Sequence, residues 1–431
     1  MPFGRTIYLY EHDWLTVTQV VNGVVFEERH FNLLSGYLTA NPQCNYFRLF
    51  NRRVKFSHFV GVIKIRDLTI EVLPKSDAHG KGVDTWRDVL LEMLVISFKV
   101  RTRISTRADI MVRRKSVLET YIQLFIDEAE RIFREGPVKK YRNNQENQLC
   151  MKGKLVIHRH IIENLVHAER FFVSYQVYDH DNVFNALISQ TLKCIVSLGL
   201  STDINNRCLF LLEFFPESRP VRVSEKLFLR LVYSRKTERY RQAVELARII
   251  LLNYHPDLKG GSNNILAIML DMNHLWESYI YYVLKKAAQH SGIPVSVEAQ
   301  RGKPFWRHPG NYDLQLRPDI LVRKNPGSES EEALVLDTKW KYRSDTSIGD
   351  VRQMYAYGRY FGARNTFLLY PDRLTGSPVI RKEGPFYKTL ARRELSDEKC
   401  GLLFIDLLKD NRLNKEVGRG VIELILLPEG G

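Results

Sequence analysis

The chain has 431 residues, which is too long for one ordinary hydrophobic core and predicts two or three domains. Apolar residues make up 44% and charged residues 26%, values typical of folded proteins, so a largely disordered chain is excluded. Lys and Arg number 64 against 49 Asp and Glu, a formal net charge of +15. This excess favours a polyanionic partner, such as nucleic acid or an acidic protein surface.

The cysteines and the hydropathy pattern limit the cellular setting. The five cysteines are scattered without a C-x-x-C pair, so neither a disulfide framework nor a cysteine zinc site is indicated. The first ten residues lack the apolar run of a signal peptide, and no stretch approaches the ~18 apolar residues of a membrane span. We therefore expect a cytoplasmic protein with no membrane contact.

Residues 1–115 are predicted to form a β-rich N-terminal domain. Short β-like runs occupy 7–10, 46–50, 60–65 and 68–73, the last two flanking a hairpin turn, and helical spacing follows over 86–98. This region holds 18 basic and 11 acidic residues, and most of the excess lies in segment 99–115, with seven Lys and Arg against Asp109. Within that segment we predict contacts with DNA or an acidic partner through Arg107, Arg113, Arg114 and Lys115.

Two further regions complete the predicted domain organisation. Residues 116–260 are predicted to be mainly helical, with helices at 117–133, 184–198 and 238–252 and a strand at 171–177. Residues 261–431 are predicted to form an α/β domain, with a helix at 266–288, alternating strands and helices up to residue 408, and a terminal strand at 421–427. The predicted fold class is thus multidomain α+β.

A candidate site lies where two apolar strands of the last region are predicted to pair. Asp319 enters one strand, Asp337 ends the next, and the turn-rich tip at 325–332 joins them, so an antiparallel hairpin brings the two carboxylates together. Lys339 lies two residues after Asp337 and shares its face because the strand period is two. Carboxylate oxygens are suited to Mg²⁺, and a nearby lysine can orient or deprotonate an attacking water. The predicted reaction is phosphodiester hydrolysis.

Three more residues are weaker candidates for the same site. Glu277, on an amphipathic helix, is the best additional carboxylate for a metal ligand or general base, although a solvated acid or salt bridge explains it nearly as well. Gln353 and Tyr357 lie four residues apart on a predicted helix at 347–361 and share one face. Residues of these types more often serve packing or capping than catalysis.

The hairpin resembles the PD-(D/E)xK nuclease core, with Asp319, Asp337 and Lys339 at its signature positions and Glu277 in the place of its first-helix acid. The wider chain resembles the McrC family, the nuclease subunits of McrBC-type modification-dependent restriction systems. The similarity rests on Leu336-Asp337-Thr338-Lys339, on Gln353-Met354-Tyr355-Ala356-Tyr357, on Lys152-Gly153-Lys154-Leu155, on Asp181-Asn182-Val183-Phe184-Asn185, and on the N-terminal stretch from Val60-Gly61-Val62 to Pro74-Lys75.

This resemblance implies a restriction-endonuclease-like fold for residues 261–431 and partner binding by residues 1–115. It also implies a Mg²⁺-dependent endodeoxyribonuclease that acts on double-stranded DNA with a hexameric McrB-like AAA+ GTPase, whose hydrolysis it stimulates. The chain has no GTP-binding motif of its own, which agrees with that division of labour. Two alternatives remain open: a non-catalytic activator and DNA-binding component of an AAA+ ring, and a stand-alone DNA-repair nuclease.

Overall fold

The computed structural model describes residues 5–65, 67–74, 82–97, 116–255, 265–310, 312–341, 346–372, 379–388, 394–409 and 412–426. The chain forms two compact units. The first contains residues 1–62, 68–100 and 269–431, and the second contains residues 63–67 and 101–268. Among the described residues, no helix is both long and apolar enough to cross a membrane.

The N-terminal part of the first unit is rich in β-structure, as predicted. Strand β1 pairs in parallel with β8, which lies next to β7, while β2, β6 and β5 form a separate antiparallel sheet. The elements are β1 (Arg5–Tyr10), β2 (Trp14–Thr16), β3 (Val20–Val21), β4 (Val24–Val25), α1 (Glu28–Ala40), β5 (Phe47–Phe50), β6 (Arg53–Phe56), β7 (Phe59–Ile65), β8 (Leu68–Leu73) and α2 (Val83–Ser97).

The second unit combines helices with a small antiparallel sheet in the order β10, β11, β9. The predicted helices and the strand near residue 171 are confirmed, whereas β9 was not predicted because its sequence, KYRNNQENQ, is almost wholly polar. The elements are α3 (Val117–Arg134), β9 (Lys140–Gln148), β10 (Lys154–Leu155), α4 (Ile157–Asn164), β11 (Phe171–Asp179), α5 (Val183–Ser197), α6 (Thr202–Phe214), α7 (Glu225–Leu229), a 3-10 turn (Glu238–Tyr240), α8 (Arg241–Asn253) and β12 (Tyr254–His255).

The C-terminal part of the first unit is built on a mixed sheet in the order β14, β17, β18, β19, β21, β20. The pairs β18–β19 and β19–β21 are parallel, and the other neighbours are antiparallel. The elements are β13 (Ile265–Asp271), α9 (Met272–Ala288), β14 (Val295–Ala299), β15 (Lys303–Arg307), β16 (Asp313–Leu316), β17 (Ile320–Lys324), β18 (Glu332–Thr338), α10 (Ile348–Phe361), β19 (Asn365–Asp372), β20 (Val379–Tyr387), β21 (Leu395–Asp406), β22 (Leu408–Lys409), β23 (Arg412–Leu413) and α11 (Val417–Leu426).

Two predicted elements in this part are wrong. The helix predicted from residue 266 begins only at Met272, because the preceding apolar run is a buried strand that ends at Asp271, whose side chain caps α9 by accepting from Asn273 N at 2.9 Å. The terminal strand predicted at 421–427 is helix α11, which packs on α9. Gly418 makes this packing possible, because a Cβ there would collide with the Val283 carbonyl.

The structure divides the chain differently from the predicted boundaries of 1–115, 116–260 and 261–431, since the N-terminal and C-terminal parts share one unit. Polar contacts join these parts. The indole Nε1 of Trp340 donates to Glu11 Oε1 at 2.6 Å in a buried position, and Lys415 Nζ lies 3.6 Å from Glu92 Oε2. Such long-range contacts leave no periodic signal in a sequence.

Candidate functional site

The predicted hairpin is present and places the two aspartates side by side. Strands β17 and β18 pair antiparallel, with Ile320 opposite Leu336, so Asp319 and Asp337 are the next opposed positions. One oxygen of Asp319, Oδ2, accepts hydrogen bonds from Thr338 N at 2.7 Å and from Thr338 Oγ1 at 2.9 Å. The strand geometry therefore fixes both carboxylates on the same end of the hairpin.

Lys339 completes the predicted group. Its Nζ lies 2.6 Å from Asp337 Oδ2, and Asp337 is only 1% exposed. The same Nζ lies 3.3 Å from Gln353 Oε1 and 3.6 Å from Asp350 Oδ1. The ammonium group is thus held between a strand and helix α10, with a carboxylate on each side.

Glu277 reaches the site from helix α9. Its Oε1 accepts from Gln300 Nε2 at 2.7 Å, and its Oε2 lies 3.5 Å from His274 Nδ1. Its negative charge contributes to the raised pKa of both aspartates, so it acts on the same electrostatic centre. These contacts fit the salt-bridge alternative for Glu277 as well as a place beside the carboxylates, so its role as a metal ligand stays a prediction.

Burial and mutual repulsion make the carboxylates hard to ionise together. Burial, together with the charges of Asp337 and Glu277, raises the pKa of Asp319 to about 7, and the Thr338 hydrogen bonds only partly oppose this rise. Burial also raises the pKa of Asp337, and the neighbouring Lys339 only partly opposes this. Burial lowers the pKa of Lys339, but Asp337 and Asp350 more than compensate and the net pKa is raised. Lys339 therefore stays protonated, and its single positive charge only partly offsets the negative charges of Asp319, Asp337 and Glu277.

This excess of buried negative charge fits a cation. Repulsion between adjacent carboxylates falls when a cation lies between them, and hard oxygen donors suit Mg²⁺. Among the described residues, no three Asp, Glu, His or Cys side chains already converge closely enough to hold a metal ion. The donors predicted for the metal, Asp319, Asp337 and Glu277, have the right chemistry, and Asp337 is engaged by Lys339.

Gln353 and Tyr357 also join the group, through one face of α10. Gln353 Nε2 donates to the Tyr357 hydroxyl at 2.8 Å, and that hydroxyl donates to the Arg317 carbonyl at 2.9 Å. Tyr357 thereby anchors the chain two residues before Asp319, while Gln353 contacts Lys339. Both residues hold other groups in place, which is closer to the packing role considered for them than to a catalytic role.

The sequence did not single out Asp350, His274 or Gln300. Asp350 is the third residue of α10, where Ser347 Oγ accepts from its backbone N at 3.1 Å, and an acid there is ordinary capping chemistry. Burial raises its pKa, but Ser347, Lys339 and Lys341 outweigh this and the net pKa is lowered. His274 lies three residues before Glu277 on the same helix, and this spacing was the only signal in the sequence that could have identified His274.

Arg107, Arg113, Arg114 and Lys115 fall outside the described residues. In the second unit, Asn182 caps α5, and the fully buried Asn185 donates to the carbonyls of Val138 at 2.9 Å and His180 at 2.8 Å. Gly153 has a φ of +73° beside Ser174 and Tyr175, where a Cβ would clash. The segments that carry the family resemblance in this unit therefore have structural roles.

Comparisons with known proteins give a family match and a similar fold. A family model described as McrBC 5-methylcytosine restriction system component matches residues 54–371. The fold is similar to that of a solved structure, the refined half-complex from the tetradecameric assembly of Thermococcus gammatolerans McrB AAA+ hexamers with bound McrC. The TM-score is 0.62 at 17% identity, covering 98% of this chain and 100% of that chain. The cryo-EM structure of the Thermococcus gammatolerans McrBC complex gives a TM-score of 0.45 at 18% identity, covering 65% and 88%. No curated protein matches the chain.

Proposed function

This chain belongs to the McrBC 5-methylcytosine restriction system component family, and from that premise we propose that it is the DNA endonuclease subunit of a GTP-dependent restriction complex. The observation that carries the proposal is the pair of opposed, buried aspartates, Asp319 and Asp337, at one end of an antiparallel hairpin, with Lys339 Nζ 2.6 Å from Asp337 Oδ2. Together with Glu277 on the preceding helix, this arrangement supports a PD-(D/E)xK nuclease domain.

Each residue has a chemical part in the proposed phosphodiester hydrolysis. Asp319, Asp337 and Glu277 would hold Mg²⁺, which when bound polarises the phosphodiester and stabilises the charge that develops on its oxygens. Lys339, kept protonated by its acidic neighbours, would orient the attacking water and attract the phosphate. Gln353 holds the Lys339 ammonium, and Tyr357 holds the chain that leads to Asp319. These residues set the geometry before DNA arrives.

The proposed partner is a hexameric McrB-like AAA+ GTPase, whose hydrolysis this chain would stimulate. Support comes from the family assignment and from the solved structure with the same fold, in which McrC is bound to McrB AAA+ hexamers. At 17% identity that likeness concerns the fold, so the partner of this chain needs a direct test.

The test is reconstitution of the full chain with a McrB-like AAA+ GTPase. Wild type should cut DNA in the presence of GTP and Mg²⁺ and should raise the rate of GTP hydrolysis. Asp337→Ala should lose cleavage but keep the stimulation, because Asp337 lies in the carboxylate site. Intact cleavage by this variant would refute the site, and cleavage by wild type alone, without the GTPase, would identify a stand-alone nuclease.

The same assay separates the other alternative. A wild-type chain that stimulates GTP hydrolysis fully yet never cuts methylated or unmethylated DNA would be a non-catalytic activator. In that case Asp319→Ala should behave like wild type in every assay.

A further inference from the structure

A two-stranded hairpin projects from the candidate site. Strands β15 and β16 pair antiparallel, with Trp306 opposite Leu314 and Arg307 opposite Asp313. We call the described residues 303–310 and 312–317 the aromatic hairpin. It leaves the chain just after Gln300 and returns at Arg317, two residues before Asp319. In the chain, the hairpin is therefore an insertion between β14 and β17, after Glu277 and before Asp319 and Asp337.

The root of the aromatic hairpin is tied to the site. Gln300 N donates to the Asp319 carbonyl at 2.9 Å, and the Gln300 side chain donates to Glu277 at 2.7 Å. At the returning end, the Tyr357 hydroxyl donates to the Arg317 carbonyl at 2.9 Å. The rings of Phe305 and Tyr360 lie 5.4 Å apart, edge to face, which packs the hairpin on α10. Anything that binds the hairpin is thus positioned relative to the carboxylates.

Large apolar side chains on this hairpin remain exposed. Phe305 is 52% exposed, Trp306 49%, Tyr312 53% and Leu314 49%. The pairing register shifts between Pro304 and Trp306, so the strand period is interrupted at Phe305, and both Phe305 and Trp306 stay about half exposed. A two-stranded hairpin on its own is marginally stable in water, and clustered apolar exposure commonly marks a contact surface. Phe305 packs on Tyr360, yet all four side chains keep about half of their surface exposed.

The charge on the hairpin indicates what it contacts. Lys303, Arg307 and Arg317 stand against one acid, Asp313. Basic side chains neutralise phosphates, and exposed aromatic rings beside them can pack on the sugars and on the base edges in a groove. A two-stranded β-ribbon also has the dimensions to enter the major groove of DNA. An acidic protein surface would match the charge, but it would not require a position beside a phosphodiester-cleaving centre.

We propose that the aromatic hairpin binds double-stranded DNA next to the phosphodiester that is cut. Lys303 and Arg307 contact phosphates, and Trp306 packs against the sugar or base surface of the duplex. This function rests on the proposed nuclease activity for its substrate. It assigns substrate positioning to a segment outside the carboxylate cluster, and it explains why the exposed rings lie between Glu277 and Asp319 in the chain.

The test measures DNA binding by the full-length chain carrying Asp337→Ala, so that the result does not depend on cleavage. We expect Trp306→Ala in this background to bind a labelled duplex roughly tenfold more weakly, a loss of about 1.4 kcal/mol, because the variant lacks the ring that packs on the duplex surface. Arg307→Ala should reduce the slope of log affinity against log salt by about 1, the value of one phosphate contact. A matched control is Tyr387→Ala, which removes a 63% exposed ring from β20, at the opposite edge of the sheet from β14 and β17.

Three outcomes would overturn the proposal. The first is unchanged affinity and salt slope in both hairpin variants, and the second is an equal loss in Tyr387→Ala. The third is unchanged DNA binding with impaired assembly on the AAA+ partner, which would make the hairpin a protein-docking surface. Failure of the nuclease proposal is a separate result, because it appears as absent cleavage by wild type while hairpin-dependent DNA binding persists.

Discussion

The raised pKa of Asp319 gives a stability prediction whose sign is opposite to that of an ordinary salt-bridged aspartate. The folded protein shifts this pKa from 3.8 to about 7. Below pH 4 the carboxyl is neutral in the folded and unfolded states, so it does not lower the free energy of unfolding. Between pH 4 and pH 7 the unfolded chain gives up the proton more easily, so stability falls as pH rises, and the full cost remains above pH 7.

Asp319→Asn removes this cost while keeping an oxygen for the two Thr338 hydrogen bonds. A tenfold change in an equilibrium corresponds to about 1.4 kcal/mol, so the shift sets an upper bound of about 4 kcal/mol. The hydrogen bonds from Thr338 to a neutral amide are weaker, which should reduce this gain in stability by about 1 kcal/mol. We expect a net gain of about 2–3 kcal/mol at pH 8 without divalent cations, or a rise in Tm of about 5–10 °C.

The assay is thermal unfolding of the full chain at several pH values, with and without Mg²⁺. The advantage of Asp319→Asn should disappear near pH 4, and Mg²⁺ should stabilise wild type but not the variant. Asp350→Asn is a control of opposite sign: the lowered pKa of Asp350 contributes stability that is present above pH 4, so this variant should be less stable at pH 8. The reasoning would be refuted if Asp319→Asn did not raise the Tm at pH 8, or if it raised the Tm equally at pH 4.

Three other substitutions test the packing around the site and in each unit. Tyr357→Phe removes the hydroxyl that links Gln353 to the Arg317 carbonyl, and it should lower kcat/KM for cleavage by about tenfold with an unchanged Tm. A loss of stability as large as the loss of activity would argue against a positioning role. Asn185→Ala removes the acceptor of the Tyr240 hydroxyl and one of the donors to each of the Val138 and His180 carbonyls, which still accept from Asn182, and should cost about 2 kcal/mol in urea unfolding. A cost no larger than that of a surface substitution would contradict the buried network. Gly418→Ala places a Cβ against the Val283 carbonyl and should cost about 1–3 kcal/mol, and a neutral result would show that α11 does not pack so closely on α9.

The hairpin of the site could be predicted because each of its features is local. Strand period two sets Asp337 and Lys339 on one face, and an antiparallel turn sets Asp319 opposite Asp337. Helices with regular apolar spacing, such as those at Val117–Arg134 and Val183–Ser197, were predicted for the same reason. Local periodicity therefore accounts for the elements and for the position of the main residues.

The features that were missed depend on tertiary contacts. The terminal helix was predicted as a strand because Val421, Ile422 and Ile425 are β-branched, and packing of Gly418 on α9 outweighs that preference. Strand β9 has a polar sequence and is defined by pairing with β11 rather than by apolar alternation. Asp350 approaches Lys339 from another element, a proximity that spacing along the chain cannot show.

The role of Lys339 is the most direct test of the proposed active site, because the chain offers a matched control. Lys339 and Lys341 both lie 3.6 Å from an Asp350 oxygen, but Lys339 also contacts the buried Asp337, while the Lys341 side chain is 53% exposed. The measurement is the rate of DNA cleavage by the complex with the AAA+ GTPase, in GTP and Mg²⁺, for Lys339→Met and Lys341→Met. We predict that Lys339→Met loses cleavage by at least about a hundredfold while still stimulating GTP hydrolysis, and that Lys341→Met cuts at nearly the wild-type rate. Equal cleavage by the two variants would contradict the assignment of this hairpin as the nuclease centre.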